Sequence, residues 1–386
     1  MKSFKLAGLA MLVLGTVACT EKVSTKKEPV LQPITSVIAM DGKKEVTAKI
    51  DHAAKTINFA AFENVDDMTA VEVKIEVAEG ATLVSPEAVA TLDLSKAVKV
   101  VVNNNVRDLE YVMTAEKPVL NPIKEAGFSI TDQFGALPEH IKIYSNKKLG
   151  TAKNVEGFII ELSEGAEFAV YGNGNWMDKD NNKDIASWVK AQPGWSVYVN
   201  GLCGYKEAVV NNGKLVYSRF EPFPVFAVEK DGKYQCCPQI HEKDDAGKEL
   251  PTIAKLDIQG NVIQKAWMPQ YAQGGYYMVI SEGNELNAEQ MAKTGAYGDG
   301  WWKDDATSGR EFIGVNKDGS KAFIYVNGKA SDGISMKEAV KIMKAIGSYN
   351  AMTMEGSSSA MFYVGSKKCI EGNDSVKLTA SVLAIK

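Results

Sequence analysis

Through the first third of the chain, apolar and polar residues alternate. Val71, Val73, Ile75 and Val77 fall on one side of an extended segment, and Glu72, Lys74 and Glu76 on the other, which is the period of a half-buried strand. Ala70 to Val77 is the clearest case. Val46 to Ile50, Thr56 to Ala61, Ala97 to Val102 and Leu109 to Thr114 are likewise short and β-branched. Asp41-Gly42, Glu79-Gly80 and Asn103-Asn104-Asn105 separate them as turn material. The pattern predicts about seven strands over residues 33–117, and hence an all-β, immunoglobulin-like sandwich. No chemistry-bearing motif falls here, so the stretch reads as a spacer or presentation module, with glycan binding as the alternative. Pro118 and Pro122 then break strand pairing and stiffen a short linker, 118–122.

From 123 to 386 the pattern changes. Apolar runs are separated by Asn212-Gly213, Asp231-Gly232, Asp318-Gly319 and Asn327-Gly328, dipeptides that favour positive φ and tight hairpins. Helix signals are few. Ser335 and Glu338 form a capping box ahead of Met336, Ala339, Val340, Met343 and Ile346, with Gly347 to close the helix. Asp184 heads a helix through Trp188, and Asn287 heads one from Ala288 to Lys293. Strands and helices do not alternate, which argues against a doubly wound parallel sheet. The expectation is one α+β domain, rich in β-hairpins and poor in helices, over 123–386.

The beginning of the chain adds a location. Lys2 and Lys5 precede an apolar run, Leu6 to Val17, that is too short to span a bilayer. Small residues before a cysteine, in Thr16-Val17-Ala18-Cys19, predict a lipoprotein signal over 1–19, a lipid on Cys19 and a polar tether over 20–32. Cleavage without lipidation is the alternative. Either way the chain is exported, and the lipid would hold it at the bacterial outer membrane or cell surface. In an oxidising compartment Cys203, Cys236, Cys237 and Cys369 could pair in three ways. A bridge between the adjacent Cys236 and Cys237 would be strained, and buried free thiols are the other reading.

Charge and motif content exclude several function classes. Net charge is −4 with both signs interspersed, so there is no basic footprint for nucleic acid. His52, His140 and His241 are scattered, without zinc or triad spacing. Asp178, Asp180, Asn182 and Asp184 alternate like a calcium loop, but Lys183 and Val189 stand where an EF-hand needs glycine and glutamate. That segment reads as a solvated loop capping a helix. No nucleotide-phosphate loop or dinucleotide fingerprint is present, so no metal or cofactor is indicated.

One stretch carries more chemistry than the rest. It runs from Ser308-Gly309-Arg310-Glu311-Phe312-Ile313-Gly314 to Glu355-Gly356-Ser357-Ser358-Ser359-Ala360. Its layout resembles the phosphodiester glycosidase family, in which the matching stretches read roughly asparagine-proline-arginine-threonine-x-x-glycine and aspartate-glycine-glycine-glycine-serine. The order of elements resembles the family from about 150 to 365. Ile185 to Ala191 leads to Ser196-Val197-Tyr198-Val199-Asn200-Gly201, and the hairpin Val209 to Val216 and Pro224 to Val228 follow. Gln273 to Ile280, Arg310 with Gly314, Ile324 to Gly328 and Ser331 to Ser335 complete the order. The run Gly80-Ala81-Thr82-Leu83-Val84-Ser85-Pro86 resembles the immunoglobulin-like modules at the N-termini of many Bacteroidota surface lipoproteins.

The resemblance implies cleavage of a sugar-1-phosphate diester, releasing the sugar and leaving a phosphomonoester on the other alcohol. Such chemistry needs a cation and donors on the phosphate, and a carboxyl group near the glycosidic carbon. Arg310 suits the phosphate, since a guanidinium binds two oxygens at once. Asn200 and Gly201 would hold the phosphate and let the substrate approach. Glu355 stands at the family's aspartate as acid/base or electrostatic stabiliser, and Ser359 matches its serine. Gly356, Ser357 and Ser358 would offer backbone N–H groups and hydroxyls to an anion. Trp301 and Trp302 are the pair expected to stack on a sugar.

The motif also departs from the family. Glutamate replaces aspartate at 355, serines replace glycines at 357 and 358, Ser308-Gly309 replaces asparagine-proline, and Glu311 replaces threonine. An extra methylene moves a carboxylate by about 1 Å, a misplacement that can cost on the order of 10²-fold in rate. A carboxylate at 311 would compete with phosphate for Arg310. Two readings follow: a hydrolase of sugar phosphodiesters, or a catalytically silent protein of the same fold that binds glycan or phosphoglycan. Oligomeric state is not encoded in any motif.

Overall fold

A computed structural model describes residues 27–42, 44–62, 64–65, 67–116, 121–149, 155–175, 177–178, 180–203, 206–297, 308–328, 333–370 and 378–386. The chain divides into two compact units, Met1–Val119 and Leu120–Lys386.

The first unit is a β-sandwich with nine strands among the described residues. Ile34–Asp41, Lys44–Thr47, Val71–Val77 and Val89–Leu92 form a four-stranded sheet. Lys49–Asp51, Thr56–Phe59, Thr82–Ser85, Val98–Asn103 and Asp108–Ala115 form a five-stranded one. The alternation read in the sequence is the packing pattern: Val71, Val73 and Ile75 are buried against Val37, Ile57, Val100 and Tyr111, while Glu72, Lys74 and Glu76 are exposed. Each buried aliphatic side chain stabilises the unit by about 1.5–3 kcal/mol before entropy is charged. The segment 46–50, expected as one strand, is divided at Ala48. Its N–H donates to Val37 O (2.9 Å), and the chain passes there from one sheet to the other.

Among its described residues the second unit contains three antiparallel sheets. The largest has eight strands, and its centre is Gly157–Ser163, Lys321–Asn327, Arg310–Val315, Asn350–Gly356 and Met278–Ser281 in that spatial order. A five-stranded sheet is ordered Phe168–Gly172, Ser381–Ile385, Val197–Asn200, Phe362–Val364 and Lys367–Lys368. A seven-stranded sheet includes Val209–Asn211, Tyr271–Gly274, Phe223–Val228 and Tyr234–Lys243. Period-2 alternation sends one face of each sheet into a common core: Ile160, Ile313, Ile324 and Met352 meet Val197, Val199, Leu383 and Phe362, with Val209, Phe226 and Val228 from the third sheet.

Helices cover the outer faces. Met336–Ala345 carries the expected Ser335–Glu338 capping box and lays Met336, Ala339, Val340 and Met343 over Phe312, Phe323 and Tyr325. Ile185–Ala191, capped by Asp184, covers Tyr198, Tyr363 and Val382. Ala288–Lys293 has a capping box from Asn287 and Gln290. A fourth helix, Pro122–Glu125, starts where the sequence suggested linker; Asn121 caps it, and Pro122 sits at its start, where a missing N–H costs nothing.

Asn212-Gly213, Asp231-Gly232 and Asp318-Gly319 are turns with positive φ at each glycine. Asn327-Gly328 is not, because Gly328 has no positive φ and a strand ends at the buried Asn327. Glycine is needed there for another reason: a Cβ would come within 2.7 Å of Ile370 Cγ2. Among the described residues no helix is long and apolar enough to cross a membrane. Cys203, Cys236, Cys237 and Cys369 are all free thiols. Cys236 and Cys237 face opposite sides of their strand, one into the shared core and one into the outer cluster around Trp267.

Candidate active site at the converging strand ends

Strands from all three sheets bring buried polar groups to one place. Asn200 ends its strand, Gln273 lies near the end of another, and Ser381 and Arg310 begin two more. Arg310 faces Asn327 on one neighbouring strand and Gly356 on the other. Between Arg310 and Phe312 the register with Asn350–Gly356 shifts, marking a bulge where Glu355 sits. A bulge bends a strand and re-aims the side chains beside it.

Arg310 is 1% exposed, and its Nε donates to Ile334 O (3.2 Å). Ser308 pairs with Ile334 as an isolated bridge, which fixes the backbone before the arginine. Close approach explains the glycines here. A Cβ on Gly333 would strike Ser308 O at 1.5 Å, and one on Gly309 would meet Ser357 O at 2.3 Å. Ser357 N–H donates to Gly309 O (2.8 Å), tying the arginine segment to the serine turn.

Glu355 is 4% exposed, and Tyr276 OH donates to its Oε1 (2.9 Å). Cys203 N–H donates to the same oxygen, and Gly356 N–H to Oε2 (3.3 Å). Three donors on one carboxyl suit a negative charge.

Two further buried carboxyls lie within reach of its charge. Glu207 accepts from Ser381 Oγ (2.7 Å) and Leu202 N–H (3.2 Å), and Gln273 Nε2 donates to that serine (2.9 Å). Burial pushes Glu207 up from 4.5 to about 8, against the two donors, with Glu355 adding a smaller push in the same direction. Burial likewise drives Glu311 well above the carboxylate range, helped by Glu355 and Glu207. Met361 N–H lies near enough to favour a charge on Glu311 slightly, but it is hydrogen-bonded to Asn200 Oδ1 (3.1 Å). Neither Glu311 oxygen has a hydrogen-bond partner among the described residues, and the same holds for Glu207 Oε2 and Gln273 Oε1.

This arrangement corrects the expectation of a competing carboxylate. Glu311 and Arg310 are consecutive strand residues and point to opposite faces, Arg310 with Phe312 and Glu311 with Ile313. Burial pushes the Glu311 carboxyl well above the usual carboxylate range, which disfavours a rival anion there.

The other sequence-derived residues have specific places. Asn200 is fully buried; its Nδ2 donates to Ser359 O (2.8 Å) and its Oδ1 accepts from Met361. Its amide therefore shapes the serine turn. The space at Gly201 admits the chain's own polar groups, since a Cβ would lie 2.3 Å from Ser381 Oγ and 2.4 Å from Glu207 Oε1. Ser357–Ser359 form one 3-10 turn, with Ser357 at φ 55, a conformation that suits the family's glycine. The N–H groups of Gly356 and Ser357, expected to meet an anion, are used inside the chain. Ser359 is 1% exposed. Trp301, Trp302 and Cys19 lie outside the described residues. Trp188, Trp195 and Trp267 pack into hydrophobic clusters.

Sequence reading missed Glu207, Gln273, Tyr276 and Ser381. A lone acid just ahead of an apolar strand carries no signal of its own. The one hint was Gly201, whose missing side chain is what lets Glu207 and Ser381 meet. Among the described residues no cluster of His, Cys, Asp or Glu could hold a metal. Asp178 is occupied by Asn173 and Asn181, and Asp184 caps its helix, as the loop reading expected.

The phosphodiester glycosidase family model matches residues 165–383, which include every residue of the site above. The model described as SGBP, N-terminal, matches residues 34–115. Among solved structures, a hypothetical protein from Synechocystis is 12% identical over 92% of this chain and 80% of that chain, with a TM-score of 0.47. The catalytic domain of zebrafish N-acetylglucosamine-1-phosphodiester alpha-N-acetylglucosaminidase, auto-inhibited by its pro-peptide, is 16% identical over 67% of this chain and 87% of that chain, with a TM-score of 0.46. No curated protein matches the chain.

Proposed function

The chain belongs to the phosphodiester glycosidase family, and we propose that it hydrolyses a sugar-1-phosphate diester at the converging strand ends. The observation that carries this is a buried Arg310 on one strand and the donor-held carboxyl of Glu355 on the neighbouring strand, at the same strand ends. Arg310 supplies the cation for the phosphoryl group. Glu355, held by three donors, takes the role of the carboxylate, and Glu207, which burial pushes up to about 8, takes that of the proton source.

Water adds to the glycosidic carbon as the bond from that carbon to the phosphate oxygen breaks. The sugar leaves with a new hydroxyl, and the phosphomonoester keeps the bridging oxygen. Arg310 balances the charge growing on the departing phosphate. Glu355 stabilises positive charge at the sugar carbon or takes the water's proton. Asn200, engaged with the backbone on both amide ends, is a positioning residue that holds the Ser357–Ser359 turn.

A second reading keeps the site and drops the chemistry: a glycan- or phosphoglycan-binding protein on the same fold. It is favoured by the longer acid at 355 and by the inward use of the Gly356 and Ser357 N–H groups. In both readings the N-terminal sandwich presents the second unit to glycan, and a lipid on Cys19 anchors the exported chain.

The test is incubation of the full chain with an N-acetylglucosamine-1-phosphodiester, assaying free sugar beside Arg310→Ala. Release that vanishes in the variant supports hydrolysis at this site. Release that the variant leaves intact refutes the role given to Arg310. Saturable binding without release, sensitive to the same change, selects the binding reading.

A further inference from the structure

The second unit has a separate cavity at the other end of the Val197–Asn200 strand. Asn200 belongs to the carboxylate site; Ser196 and Tyr198, at and near the opposite end, line a hollow of about 390 Å³. Three turns enclose it, around Gly135, Gly194 and Gly365, all with left-handed φ. A Cβ at any of these three glycines would meet open space. The glycines are therefore there for the turn conformation.

The lining has a definite chemistry. Phe134, Leu137, Pro193 and Trp195 give ring and aliphatic surface, while Ser196 and Ser366 give hydroxyls. Among the described residues no charged side chain lines it. Trp195 is held in a fixed orientation. Its Nε1–H donates to Tyr171 OH (3.1 Å), and its backbone N–H to Tyr198 OH (3.3 Å). Tyr198 OH in turn donates to Gln192 O (2.6 Å). The indole's polar edge is thus occupied; the half-buried ring packs edge-on against Tyr171 and also lines the hollow. Lys367 Nζ lies 5.0 Å from the centre of the Phe134 ring, which holds that ring as well.

A neutral wall excludes ligands that need a counter-charge, which separates this cavity from the arginine site. Fixed rings next to hydroxyls suit a ligand with one C–H face and polar edges. We propose that this cavity binds one uncharged pyranose unit of a glycan, stacked on Trp195, independently of the phosphodiester site.

The test is saturation-transfer NMR and calorimetry on the full chain with two neutral probes, N,N′-diacetylchitobiose and maltose. The expected result is saturable binding of at least one probe, weakened about tenfold or more by Trp195→Ala, which removes the ring surface the sugar stacks on. Trp195→Phe should keep most of the affinity, and Arg310→Ala should leave it unchanged. Ser366→Trp fills the hollow from an exposed turn and should also abolish binding, which keeps the test decisive if Trp195→Ala does not fold. Absence of saturable binding by both probes overturns the proposal, as does binding that Arg310→Ala removes and Ser366→Trp spares. Neither result bears on hydrolysis at Arg310.

Discussion

The two units treat buried polarity in opposite ways. Among the described residues of the sandwich, Asp41 and Asn104 are the buried polar side chains, and each is spent on fixing loop backbone: Asp41 accepts from the Asn64 N–H of a distant loop, and Asn104 from Val106 and Arg107 in its own turn. In the second unit Asn200, Glu207, Gln273, Arg310, Glu311, Glu355 and Ser381 are buried at one set of strand ends. Several oxygens there have no hydrogen-bond partner among the described residues. An unpaired buried polar group costs about 1–3 kcal/mol, so such a cluster is poor material for stability alone. The sandwich buries few polar groups, whereas the second unit buries many and gathers three carboxyls, Glu207, Glu311 and Glu355, at one set of strand ends.

If that contrast is right, removing the cation should do the most damage. Arg310→Ala should lower sugar release by about 10²–10³-fold, the usual loss of one charge-stabilising donor, measured as initial rates at saturating substrate. The sandwich should break differently. Ile57, fully buried, should cost about 2–5 kcal/mol when changed to Ala. Denaturant unfolding would register the loss, and sugar release by the folded protein would stay the same.

Glu207→Gln sharpens the contrast through pH. The folded pKa of Glu207 is raised from 4.5 to about 8, so the unfolded chain loses this proton first. Its favourable share of stability is complete below about pH 4.5 and declines as pH rises toward about 8, by a few kcal/mol in all. Glutamine has no proton to lose. The variant should gain stability relative to the parent between pH 5 and 8 in melts across that range, while losing activity. A parallel pH dependence in both proteins would show that Glu207 does not titrate this way. The smallest effect is expected from Ser357→Gly. Relief of the left-handed φ should raise stability by about 1 kcal/mol, read as a shift in the unfolding midpoint.

Much of the architecture was legible because it follows from local pattern. Val71 to Val77 alternates as it packs, and Asp184, Asn287 and Ser335 cap helices where their spacing predicts. The division at Ala48 was not legible, since a strand that changes sheets keeps its β-branched composition on both sides. At the site, Arg310, Glu355 and the serine turn came from motif order. Glu207, Gln273 and Ser381 did not, because two sheets and the loop leading into Val209 bring them together from positions up to 174 residues apart. Glu311 was misread for a related reason: sequence adjacency to Arg310 suggested a pair, whereas the strand period sends the two to opposite faces.

The most direct test of the central claim is calorimetric titration of N-acetylglucosamine-1-phosphate into the full chain and into Arg310→Ala at pH 7. The account predicts saturable binding by the parent and a loss of about tenfold or more in the variant, whether or not turnover occurs. Equal affinity in the two proteins would contradict it, because the buried arginine would then not be the phosphate site.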